Sequence, residues 1–174
     1  PAPLVVQKFG GSSLADAARI RHVAQLVSAR TEQTQVVVVS AMRGVTDELL
    51  ASAAAAARGQ AHWRKPFEAL RRRHIDTARE LLGAAAGPTC EWLEGRFGEV
   101  AETINAIAVL RGAGHGIGEA IGGNGEIWSA HLLHAHLRAH GADYALLDPR
   151  EVLVVRHEEL GAAVPGDEIG RPRR

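Results

Sequence analysis

Residues 34–47 read TQVVVVSAMRGVTD, and the fold class turns on this stretch. Four consecutive valines, Val36 to Val39, predict a strand over Thr34 to Ser40. A continuous apolar run of this kind implies burial on both faces, as in a parallel sheet. Gly44 then opens a helix that runs through the alanine-rich segment to about Arg58. Upstream, Leu4 to Phe9 is a second short apolar run, stopped by Gly10-Gly11-Ser12-Ser13. Between the two runs, Leu14, Ala18, Val23, Leu26 and Val27 keep near-helical spacing to about Ala29. Strand, helix, strand, helix is the pattern of an α/β layered fold.

Beyond Arg58 the pattern is helical. His62 to Leu82 and Thr89 to Leu110 are long amphipathic segments separated by Gly83 to Pro88, which predicts a helical hairpin. Gly112 to Gly125 holds seven glycines in fourteen residues and reads as a loop or broken turn. Asn124 to His140 is a further helix closed by Gly141. Ala142 to Leu147 and Glu151 to Val155 predict a strand pair, or one strand broken at Pro149. From Gly161 to Arg174 no periodicity remains. There is no internal repeat and no evident interdomain linker.

Composition narrows the function. The 174 residues carry 20 Lys+Arg against 20 Asp+Glu, so formal net charge is zero. Nothing global attracts nucleic acid or an anionic membrane. Only Lys8 and Lys65 are lysines, so a phosphate-binding lysine has few candidates. Cys90 stands alone, which excludes an intrachain disulfide or a cysteine-built zinc site and suits a reducing cytoplasm. No apolar run is long enough to span a bilayer. The start, PAPLVVQKFGG, lacks the features of a signal peptide. His131, His134, His136 and His140 crowd one helix but match no HExxH pattern. Arg71-Arg72-Arg73 reads as an exposed helix face.

Three segments could carry chemistry. Lys8-Phe9-Gly10-Gly11-Ser12-Ser13 leads a strand through two glycines and two hydroxyls into a helix. Backbone N–H groups there can approach a phosphate closely, with Lys8 beside them. It is not a Walker A loop, because the lysine precedes the glycines. Read alone, it is equally a tight turn whose Ser12 or Ser13 caps a helix. Ser40 to Asp47 lies at the carboxyl end of the valine strand, where open α/β sheets collect ligands. Ser40 and Thr46 are uncharged donors suited to a small anion. An ordinary strand-to-helix turn would look the same. In Asn124-Gly125-Glu126, Asn124 is a candidate N-cap. Glu126 then falls in the first turn, either to receive an ammonium or simply to complement the helix dipole.

Together these segments resemble the aspartokinases of the amino-acid kinase superfamily. KFGGSS at Lys8 to Ser13 is similar to the family signature KFGG[ST]S. VVVVSAMRGVTDELL resembles the second family segment. GNGEIWSAHLLHAHLRAHGADYALLDPREVLVV resembles the third. The likeness runs from about Leu4 to Val164, and its helical middle, including GPTCEWLEGRF, is most similar to the kinase part of bifunctional aspartokinase–homoserine dehydrogenases.

The resemblance implies a three-layer α/β/α sandwich with a mainly parallel sheet, incomplete at its C-terminal side. Residues 1–164 would be the N-terminal part of the kinase domain, and 165–174 an irregular tail. It implies transfer of the ATP γ-phosphoryl group to the side-chain carboxylate of L-aspartate, the first step towards lysine, threonine and methionine. Lys8 would contact the phosphates and the phosphoryl group in flight. Gly10, Gly11 and Ser12 would form the phosphate turn. Ser40, Thr46 and Glu126 would line the aspartate pocket, with Glu126 facing the amino group. ATP and Mg²⁺ are the implied cofactors, and the full-length protein would be a cytoplasmic homo-oligomer without nucleic-acid or membrane partners. Asn124 replaces the family's GHGE-like turn residue, and LDPRE replaces LDARE. The family's second kinase half, which carries a catalytic aspartate and most adenine contacts, has no counterpart here. The alternatives are a non-catalytic fragment of such a kinase, or a related kinase with another small carboxylate substrate. The 174-residue chain alone is expected not to turn over.

Overall fold

A computed structural model describes residues 4–30, 34–112, 116–152, 156–158 and 161–163. Strands β1 (Leu4–Phe9) and β2 (Thr34–Val39) pair in parallel, from Leu4 opposite Thr34 to Phe9 opposite Val39. Between them a 3₁₀ turn at Gly11–Leu14 precedes helix α1 (Ala17–Ser28). Asp16 caps α1 by accepting from the Arg19 N–H at 2.9 Å. The single helix expected from Leu14 onward is thus interrupted, because Asp16 takes an extended conformation in order to cap. Helix α1 buries Ala17, Ile20, Val23, Ala24 and Val27, one stripe at helical spacing.

Helix α2 (Val45–Ala57) follows β2. The expected helical hairpin is present as α3 (Arg64–Leu82) and α4 (Gly87–Leu110). Helix α6 (Asn124–Ala139) then packs against α1, α3 and α4. The interior between α3, α4 and α6 is aromatic. Phe97 stacks on Trp128 with centroids 3.9 Å apart, and His74 meets Phe97 at 5.2 Å and Trp128 at 5.3 Å. Trp63 and Phe67 extend the chain of rings. Each large side chain so buried contributes roughly 1.5–3 kcal/mol. Burial pushes the His74 imidazole down to about 4, so the ring is neutral near pH 7. Its Nδ1 lies 2.7 Å from the Leu70 carbonyl.

Four further expectations differ from the observed fold. Only one face of the sheet is covered among the described residues. Phe9, Val37 and Val39 pack against the core, whereas Leu4 (63%), Val6 (64%), Val36 (45%) and Val38 (42%) are exposed. A valine run reports what a strand can bury, not what lies over it. The glycine-rich stretch is not all loop, since Ile117–Gly122 forms the short helix α5. Asn124 is not an N-cap, because α5 runs almost directly into α6 through Gly123, whose dihedrals are helical. The Asn124 amide instead donates back to the carbonyls of Ala120 (2.8 Å) and Ile121 (3.2 Å).

The expected strand pair does not form over 142–152. Pro149–Val152 is the short helix α7, where proline's fixed φ suits a first helical turn. Its approach is organised by Asp148, which accepts from the Arg150 N–H at 2.9 Å. Instead, β3 (Arg156–Glu158) and β4 (Gly161–Ala163) pair antiparallel. Residues 153–155 and 164–174 lie outside the described residues, as does the tail expected at 165–174. Chain contacts define two compact units, Pro1–Tyr144 and Ala145–Arg174. Among the described residues no helix is long and apolar enough to cross a membrane.

Candidate functional site

Both parallel strands end at the same level, so their following loops lie side by side. The Ser40 N–H donates to the Phe9 carbonyl at 2.9 Å, carrying the ladder into the loops. Beyond it the chain turns tightly twice. The Ser13 N–H bonds the Gly10 carbonyl (2.9 Å), and the Val45 N–H bonds the Met42 carbonyl (3.0 Å).

The two loops and the segment containing Glu126 meet through two contacts that only glycine permits, one at Gly11 and one at Gly125. A Cβ on Gly11 would lie 2.8 Å from the Ala41 carbonyl oxygen. A Cβ on Gly125 would lie 2.7 Å from the Ala41 Cβ and 3.0 Å from Val45 Cγ1. Ala41 is therefore gripped from both sides, and three segments distant in sequence meet around it.

They enclose a cavity of about 270 Å³ lined by Gly11, Ser12, Ser40, Thr46 and Glu126, together with Ala41, Met42, Arg43, Gly44 and Asp47. Five of the seven residues singled out from sequence thus meet at one cavity. Gly10 and Lys8 are not part of its lining. Lys8 is exposed near the end of β1, on the same face as Val6 and Val38. Arg43 and Asp47 are charged lining residues not singled out individually from sequence. Their position beside Ser40 and Thr46 in the same segment was the available signal.

The electrostatics have two poles. Helices α2 and α6 both begin at the cavity, and neither has a side-chain cap bond at its N-cap, Gly44 or Gly123. The Val45 N–H is taken up by the Met42 carbonyl, and the positive end of each helix favours an anion. Against this, Glu126 contributes a carboxylate whose Oε2 is buried without a hydrogen-bond partner. An unpaired buried carboxylate oxygen is costly, and a cationic donor is what it lacks. The cavity therefore suits a small molecule carrying both an ammonium and a negative group.

The remaining candidates are structural. A larger cavity of about 360 Å³ lies along α3 and α4, lined by Arg71, Arg72, Ile75, Asp76, Arg79 and Glu94. Its charges are largely matched internally, since Arg71 pairs with Glu68 and Glu94, and Arg79 with Asp76. Among the described residues no three His, Cys, Asp or Glu side chains gather as a metal site. His131 stacks on Trp92 at 3.8 Å, while His134 and His136 engage the Tyr144 and Leu81 carbonyls. The expected exposed arginine face is only partly so. Arg72 is exposed, but Arg73 is half-buried and reaches the two cavity loops.

Comparison with known proteins bears on the family and the fold. The chain is 31% identical over 151 residues to bifunctional aspartokinase/homoserine dehydrogenase 2, chloroplastic, of Arabidopsis thaliana, covering 86% of this chain and 16% of that protein. Aspartokinase III of E. coli, solved in complex with lysine and aspartate in the T-state, superposes with a TM-score of 0.80. That likeness covers 94% of this chain and 35% of the other at 22% identity, which establishes the fold. The same E. coli enzyme with aspartate and ADP in the R-state gives a TM-score of 0.75 at 24% identity, over 87% and 32% of the two chains. The chain thus spans about a sixth of its curated relative and about a third of the solved enzyme. Residues 3–167, nearly all of it, match the amino acid kinase family, and the chain belongs to that family.

Proposed function

We propose that this chain forms the acceptor pocket and phosphate turn of an aspartate kinase. The observation that carries the reading is the unpartnered Glu126 Oε2 at a cavity otherwise rich in hydroxyl and N–H donors. L-aspartate supplies the missing ammonium and brings carboxylates for Ser40, Thr46 and the N-terminus of α2. In the reaction, a side-chain carboxylate oxygen attacks the γ-phosphorus of ATP. The bond from phosphorus to the β–γ bridging oxygen breaks, and ADP leaves with that electron pair.

Both reactants are anionic, so fixed positive groups must offset their repulsion. Lys8 is assigned to the phosphates and the phosphoryl group in flight, with Gly10, Gly11 and Ser12 as the turn that approaches them. Support for the turn comes from Gly11, whose missing side chain lets the turn pack directly against the Ala41 carbonyl at the cavity. Mg²⁺ is bound largely by phosphate oxygens and water with one or two carboxylates. Asp47, an acidic side chain at the cavity, fits such a donor set and would face a metal carried in on the nucleotide. When bound, the ion neutralises phosphate charge. The reading extends to a homo-oligomeric whole enzyme working in a reducing compartment such as the cytoplasm, early in lysine, threonine and methionine synthesis.

Calorimetric titration tests the assignment. L-aspartate should bind saturably, and Glu126→Gln should weaken it at least about tenfold, the scale of losing one charged hydrogen bond. Affinity for Mg·ADP should be unchanged. An equal loss for both ligands would reduce Glu126 to a helix-terminal charge. A second reading, a non-catalytic piece, is favoured by the exposed apolar sheet face. Under it, a coupled ADP-release assay on this chain shows no aspartate-dependent turnover.

A further inference from the structure

Helix α3 contributes no residue to the lining of the 270 Å³ cavity, yet it touches all three segments that build it. Arg73, half-buried midway along α3, donates from Nη2 to the Ala15 carbonyl at 2.7 Å and from Nη1 to the Arg43 carbonyl at 2.9 Å. Ala15 closes the 3₁₀ turn that carries Gly11 and Ser12. Arg43 lies between Ser40 and Thr46. The next residue, His74, packs against Trp128, two positions beyond Glu126 on α6.

Arginine suits such a bridge. Its guanidinium is planar, permanently charged and presents N–H groups in a rigid fork, so two acceptors are held at a set separation. The helix behind it is also anchored. The Thr77 hydroxyl bonds the Arg73 carbonyl at 2.8 Å, and His74 is fully buried. Among the described residues Arg73 has no carboxylate partner, so its bonding capacity goes to these two loop carbonyls.

We propose that Arg73 is a positioning residue that sets the spacing between the phosphate turn and the acceptor loop, and thereby couples nucleotide binding to acceptor binding. The identity of the two ligands rests on the function proposed above, while the tie itself does not. A ligand that orders one loop also fixes the guanidinium that holds the other, so part of the cost of ordering the second loop is already met. Occupancy of either side therefore raises affinity on the other, reciprocally.

The test measures L-aspartate affinity with and without saturating Mg·ADP in the wild-type chain, Arg73→Met and Arg73→Lys. Wild type should show at least about fivefold coupling, the low end of typical allosteric linkage. In Arg73→Met the coupling factor should fall to about one, while affinity for each ligand alone changes less than about threefold. Lysine, a single point donor, should preserve helix stability without restoring the coupling. Absent coupling in wild type, or coupling that persists in Arg73→Met, overturns the proposal, as does full restoration by lysine. Amide hydrogen exchange reads the tie without any ligand. Exchange at Ser13 to Ala17 and at Gly44 to Thr46 should accelerate in Arg73→Met, with α4 and α6 unchanged. If wild type binds neither ligand, the functional reading fails and exchange alone decides. Equal rates at both loops would then overturn the tie.

Discussion

Phe9, Val37 and Val39 lie under helices, whereas Leu4, Val6, Val36 and Val38, from the same two strands, are exposed. Residue type is nearly the same on both faces, so composition does not separate them. What separates them is the layer of helices on one side, whose aromatic interior joins α3, α4 and α6. Stability resides in that layer, and the cavity loops are ordered because they rest on it. The open face adds little to stability and is the part of the described surface most suited to association.

The comparison breaks most readily at Trp128, which is fully buried between Phe97 and His74. Trp128→Ala should cost about 3–5 kcal/mol in urea unfolding. A loss below about 1 kcal/mol would show that the aromatic layer is not the source of stability.

Acid should weaken the same layer. The folded His74 titrates near 4 because burial disfavours its charged form, against about 6.5 in the unfolded chain. Above pH 6.5 both states are neutral at this site. As pH falls from 6.5 to 4, the unfolded chain takes up a proton that the folded chain refuses, and stability drops by as much as roughly 3 kcal/mol. His131, also pushed down to about 4 by burial, adds to the loss in the same window. Urea midpoints at pH 7 and pH 4.5 should converge in His74→Phe relative to wild type. An unchanged difference would remove His74 from the account.

At the cavity, Gly125→Ala sets a methyl against Ala41 and Val45 and should cost about 1–3 kcal/mol through overpacking. Aspartate affinity should fall more than Mg·ADP affinity, because Glu126 is displaced with its neighbour. Equal affinities would show that the loops can simply part. The smallest effect is expected on the open face. Val38→Thr should alter stability by no more than about 0.5 kcal/mol while reducing self-association in light scattering. A larger loss of stability would mean that this face is covered in solution.

Much of this was legible in the chain. Strand β2, the α3–α4 hairpin and α6 follow from local periodicity, and all three cavity segments were evident as strand ends or helix starts. Helix α7 was missed because LDPRE reads equally as a strand end, and only proline's preference for a first helical turn argues otherwise. Of the five candidate residues that line the cavity, Gly11, Ser12, Ser40 and Thr46 meet because loops following adjacent parallel strands must meet, whereas Glu126 arrives from the start of α6, which no strand order foretells. Arg73 was read as surface, since its partners are backbone carbonyls at Ala15 and Arg43, and a carbonyl leaves no trace in residue type. The open face was invisible for a related reason. A strand records its own apolarity but not its neighbour's presence.

The double grip on Ala41 also bears on how this sequence can change over generations. One methyl group and one carbonyl oxygen sit where two glycines permit contact. The carbonyl is present whatever residue stands at 41, so position 11 is held to glycine on its own, whereas a larger side chain at 41 or 125 is felt by the other. A lineage could exchange surface residues on α3 or α4 singly, but positions 41 and 125 would have to drift in concert or not at all. In a library randomised at positions 11, 41 and 125, the survivors should keep glycine at 11 and form a small set of matched pairs at 41 and 125, inherited together as if they were a single locus.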